Sequence, residues 1–138
     1  MNAKLEALKE RIELLETEPM IGEFVIKQNE VQIFLSDLLM LRSNKQGLVD
    51  KKLIRNIYSS TLGKTIMFFK FFANKTDAEK ILIKKLEEYN KYRNKLIHNE
   101  NLNYKLDKRQ LEKINKSGVE ILQEVFDLIK KELIGHIK

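Results

Sequence analysis

Apolar residues recur every three or four positions along nearly the whole of this chain, and little interrupts them: 138 residues include one proline, Pro19, and five glycines. That pattern leaves long helices as the economical way to satisfy the backbone while burying one face. No stretch holds the period-two alternation of a half-buried strand, and no internal repeat is visible. The expected fold is all-α, an up-and-down bundle of four to five helices, in one domain spanning residues 1–138. Such a chain is long enough to build a core without staples.

The spacing predicts a first amphipathic helix from Ala3 to about Glu16, with Leu5, Leu8, Ile12 and Leu15 on a narrow stripe, ending before Pro19. Two heptads are too short for a coiled coil alone, so this helix is expected to pack on the domain body or on a partner chain. A second helix, Met20 to about Leu41, presents Ile21, Phe24, Val25, Gln28, Val31, Leu35, Leu38 and Leu39. Arg42–Gly47 reads as a turn, with Gly47 in the left-handed position. Asp50 caps a third helix, Lys51 to about Phe72. Gly63 marks either close helix contact or a break that makes this segment two helices. Thr76 and Glu79 form a capping box for a fourth helix reaching about His98. After an asparagine-rich loop, Asp107 and Gln110 resemble a second cap. The last helix, about Lys108 to Ile137, carries Leu111, Ile114, Val119, Leu122, Val125, Phe126, Ile129 and Leu133, with Gly118 as a bend.

With 43% hydrophobic and 33% charged residues, disordered and collagen-like classes are excluded. Cysteine is absent, so neither disulfides nor thiolate metal sites contribute. The N-terminal residues lack the apolar centre of a signal peptide, and no apolar run approaches the roughly 20 residues of a membrane span. The expectation is a soluble, cytoplasmic protein with no membrane partner. A net charge of +6 invites a polyanion such as RNA, although a lysine-rich solvated surface explains it equally well.

The segment leading to His98 carries the one constellation suited to chemistry. Leu82, Leu86 and Tyr89 step by four and three, and the next steps land on Arg93 and Leu96. A guanidinium on a core stripe must find a carboxylate, a phosphate or a wet cleft. Asn94 follows it directly, and His98 is one of two histidines in the chain. On an ideal helix Arg93 and His98 stand about 140° apart, whereas Asn94 and His98 share a face. A leaning arginine, a local widening of the helix, or a cleft shared with a second copy would bring all three together.

Such a set suits RNA phosphodiester cleavage. The histidine would move the 2′-hydroxyl or 5′-oxygen proton, the arginine would hold the phosphate, and Asn94 would orient either group. Lys91, Lys95, Lys105 and Lys108 are candidate backbone contacts, and Tyr89 or Tyr92 could stack on a base. The bland alternatives are a coincidental surface pair, tyrosines that belong to the core, and lysines that are only solvated. His136 reads as a favourable charge at a helix end. No phosphate-binding glycine loop, GxSxG motif or metal-spaced histidine pair is present, so no cofactor or metal is expected.

Arg93-Asn94-Lys95-Leu96-Ile97-His98, at the end of the penultimate long helix of an all-helical chain, resembles the motif of the HEPN superfamily, an arginine followed after four to six residues by a histidine. The resemblance implies a metal-independent endoribonuclease working as a homodimer, with motif residues of both subunits meeting at the interface. It also implies a setting in toxin–antitoxin pairs, phage defence or abortive infection, with an antitoxin protein as a possible partner. Carried over, His98 is the catalytic acid or base, Arg93 the phosphate contact and Asn94 the orienting residue. The His-x-Tyr continuation of many antitoxin-paired members is absent, the chain reading His98-Asn99-Glu100. The alternative is a HEPN-like module that binds RNA, nucleotide or a partner without cutting.

Overall fold

The computed structural model describes residues 2–47, 50–97 and 108–137. Five helices make up the fold: α1 (Asn2–Lys45), α2 (Lys51–Ser59), α3 (Leu62–Phe72), α4 (Asp77–Ile97) and α5 (Lys108–Ile137). No strand occurs among the described residues, and the molecule is an all-α bundle.

Two expected boundaries move. Pro19 does not end a helix but lies inside α1, which runs unbroken for 44 residues, roughly 66 Å. A mid-helix proline withdraws the amide that would bond to the carbonyl four residues back. Here that carbonyl belongs to exposed Leu15, and Pro19 is itself exposed, so water can take the lost partner's place. Arg42–Lys45 likewise continue α1 rather than turning. The turn is confined to Gln46 and Gly47, whose amides bond to the Arg42 and Asn44 carbonyls. Gly47 does take the left-handed conformation, at φ 75°.

The segment after Asp50 is two helices, but Gly63 does not separate them. The break falls at Ser60 and Thr61, both extended, and the Thr61 hydroxyl accepts from the Lys64 amide to start α3. Asp50 caps α2 by accepting from the Lys52 amide. Gly63 instead marks close approach of α3 to α4: a β-carbon there would lie 3.3 Å from the Asn90 side chain. Gly118 has a similar role, since a β-carbon on it would meet the Tyr89 ring at 3.1 Å. The Asp107 cap lies outside the described residues.

The core joins Phe24, Val31, Leu35, Leu38 and Leu39 of α1 to Ile57, Leu62, Ile66, Phe69 and Phe72 of α2 and α3, and to Leu82, Leu86, Tyr89, Ile121 and Val125 of α4 and α5. Each fully buried leucine of this set contributes about 2 kcal/mol. In α5 the buried stripe is Leu111, Asn115, Gly118, Ile121 and Val125. Val119, Phe126 and Leu133, expected inside, are exposed. Helix α1 packs chiefly on α5.

At one end of the bundle, Arg42 is buried and ties four helices together. Its Nη1 and Nη2 donate to both Glu79 oxygens at 2.6 and 3.0 Å, Nη1 also donates to the Phe72 carbonyl, and Nε donates to Glu132. Glu79 therefore completes only half a capping box. Its amide receives the Thr76 hydroxyl as acceptor, but its carboxylate takes Arg42 and the Asn74 amide instead of the Thr76 amide.

Candidate functional site

Helix α4 carries a stripe of residues 79, 82, 86, 89, 93 and 96. Glu79, Leu82, Leu86 and Tyr89 are buried, while Arg93 and Leu96 are half-buried. Arg93 thus occupies the core-facing position that its spacing predicts, and α1 supplies its partner. Arg93 Nε donates to Gln28 Oε1 at 2.7 Å, and Nη1 donates to Asn94 Oδ1 at 3.3 Å. Gln28 is buried and stands one turn beyond Phe24, which packs against the rings of Tyr89 and Tyr92. The aromatic contacts fix the spacing of α1 and α4, and that spacing sets the reach from Gln28 to Arg93.

This seating has an electrostatic consequence. Gln28 is neutral, so it fixes the guanidinium without cancelling its charge. Among the described residues no carboxylate lies within ion-pair distance of Arg93. Glu87, earlier on the same helix, binds Lys70 at 2.6 Å. The inner edge of the guanidinium is taken by Gln28, and its Nη end points toward exposed Asn94. A cation held this way is suited to an anionic oxygen arriving from solvent.

Lys91, Tyr92 and Lys95 line a shallow groove between α4 and α5 of about 310 Å³, together with Glu88, Gln110, Lys113, Ile114 and Ser117. Arg93 does not line it, because it faces α1. The expected contacts therefore divide into an arginine seat against α1 and a lysine-lined groove on the flank of α4. Tyr92 is half-buried, lines the groove and packs its ring on Phe24. Tyr89 is wholly core and cannot stack on a base. Lys108 reaches neither place; its ammonium pairs with Glu16 at 3.2 Å. His98 and Lys105 lie outside the described residues, as does the side chain of His136.

Two participants escape the sequence pattern. Lys113 enters the groove from α5, and Gln28 seats Arg93. Gln28 sits on the buried stripe of α1 with Phe24, Val31 and Leu35, and a polar residue at a core position is a signal that it serves another polar group. Among the described residues no three carboxylates or histidines converge as a metal site. No protein-family model matches this chain, and neither a curated protein nor a solved structure does.

Proposed function

We propose that this protein is a metal-independent endoribonuclease of the HEPN type, acting as a dimer on RNA in a toxin–antitoxin or phage-defence setting. The observation that carries this reading is the seat of Arg93: a half-buried guanidinium fixed by the neutral Gln28 amide, with no carboxylate partner among the described residues and its Nη1 donating to exposed Asn94.

In the reaction, the 2′-oxygen attacks the adjacent phosphorus and the bond from phosphorus to the 5′-oxygen breaks. The products are a 2′,3′-cyclic phosphate and a 5′-hydroxyl. Arg93 holds the non-bridging oxygens as charge grows on them, Asn94 orients the guanidinium, and His98 removes or returns the proton. Lys91, Lys95 and Lys113 draw in the backbone through the groove beside the site.

The test is cleavage of RNA in EDTA by the wild type and by His98→Ala and Arg93→Ala. Loss of at least about 100-fold in each variant is expected, with cyclic-phosphate ends from the wild type. Equal activity of wild type and His98→Ala would sink the proposal. The second reading is a HEPN-like binding module that does not cut, and the Lys91–Lys95–Lys113 groove favours it because RNA can lie there without any histidine. It predicts RNA binding that survives His98→Ala and weakens on Lys91→Ala/Lys95→Ala.

A further inference from the structure

Residues 2–16 of α1 extend as an arm. Leu5, Leu8, Ile12 and Leu15 are 55%, 54%, 48% and 69% exposed, although their spacing gives an apolar stripe. The direction of the stripe explains why the domain does not cover it. On an ideal helix these four residues centre about 150° away from Thr17, Phe24, Gln28, Val31 and Leu35, the face that α1 buries. The stripe continues instead along the solvent side through Pro19, Gly22 and Ile26, all exposed. It cannot fold back on its own core.

The charges flanking the stripe specify an occupant. With Leu5 and Ile12 at heptad position a and Leu8 and Leu15 at d, the flanking e and g positions are Lys4, Lys9 and Arg11, followed by Glu16, Glu18 and Glu23. The flank is basic in its first half and acidic in its second. Two such arms laid parallel match Arg11 with Glu16 but set Lys4 against Lys9 and Glu18 against Glu23. Laid antiparallel, with Ile12 against Leu15 of the second copy, Leu8 against Pro19 and Leu5 against Gly22, they set Lys9 against Glu16 and Arg11 against Glu18, each twice. Sliding the arms by one heptad either way creates like-charge pairs. A single register is therefore complementary throughout.

We infer that α1 arms of two copies of this chain pair as an antiparallel coiled coil about a two-fold axis between residues 13 and 14. Residues 2–18 hold three basic and five acidic side chains, a net charge that disfavours RNA or an anionic membrane as the occupant. Gln28, which seats Arg93, lies about 22 Å along α1 from that axis. The pairing thus leaves the two Arg93 sites apart and goes beyond the nuclease reading.

Sedimentation equilibrium at about 50 μM tests it, with a readout independent of cleavage. The wild type should be at least a dimer, and Leu8→Asp/Ile12→Asp, which alters only exposed positions, should halve the wild-type mass whether or not the copies also associate elsewhere. Lys9→Glu/Arg11→Glu and Glu16→Lys/Glu18→Lys should each weaken self-association at least tenfold, and an equimolar mixture of the two should restore it. The second pair also gives up the exposed Lys108 contact, which contributes little to the fold. A monomeric wild type, one that instead binds anionic vesicles as a monomer, or a mixture that fails to associate would overturn the inference. So would Leu5→Cys chains that oxidise to each other in this cysteine-free background, since that bond requires parallel arms.

Discussion

Tyr89 is wholly buried, and its hydroxyl has no hydrogen-bond partner among the described residues. A buried hydroxyl left unpaired forgoes its hydration without return. Tyr89→Phe is therefore expected to leave stability unchanged or raise it by up to about 1 kcal/mol in urea unfolding. Burial, with Glu30 adding to it, also holds the phenol's pKa above its ordinary value. The unfolded chain ionises its tyrosines near pH 10, while the folded phenol keeps its proton. Stability should be full below about pH 10 and fall as pH rises beyond it, with a shallower fall in Tyr89→Phe. The same side chain shows how much a single position reveals in sequence. Its place at the centre of the α4 stripe follows from spacing, because Leu82 and Leu86 precede it at the right intervals. Its contact with Gly118 does not, since that depends on where α5 lies. Arg93 was legible by the same arithmetic. Spacing puts Gln28 on the apolar face of its helix but does not match it to Arg93, 65 residues away.

At the scale of elements, Arg42 decides how four helices meet. It follows Leu35, Leu38 and Leu39 at core intervals, so its burial was written in the same periodicity as that of Arg93; the polar residues after it disguised the end of α1 as a turn. Arg42→Ala would leave the Glu79 and Glu132 carboxylates without their guanidinium, in side-chain surroundings only 4% and 11% exposed. A loss of about 3–5 kcal/mol in unfolding free energy is expected, partly recovered by adding Glu79→Gln. A loss below about 1 kcal/mol would mean that the cluster is hydrated rather than buried. Helix number was harder to read than helix position. Proline and glycine are average breakers, and here both rules yield to context: Pro19 sits where water can serve the orphaned carbonyl, and Gly63 sits where α4 comes close. The actual break needed only Ser60 and Thr61, whose hydroxyls bond to the backbone, Ser60 to the Asn56 carbonyl and Thr61 to the Lys64 amide.

For the whole molecule, the body and the arm are energetically separate. Residues 2–12 are exposed throughout and contribute nothing to the core. Deleting them should leave the melting temperature of a dilute sample within roughly 3 °C of the wild type, because surface changes of this kind are worth a few tenths of a kcal/mol. A larger drop would show that the arm serves the body. The all-helical class and the core faces were legible from breaker scarcity and periodicity; the open arm was not, because an apolar stripe says that something covers it and not what. The packing of α1 chiefly on α5, fastened by Arg42 and Glu132 at a separation of 90 residues, also sets an order of events during synthesis. A growing chain can wind α1 early, but α5, on which α1 chiefly packs, is made after the other four helices. Until α5 arrives, the first helix waits with its apolar face open to water and to chaperones, and the bundle forms only after translation has passed its final turns.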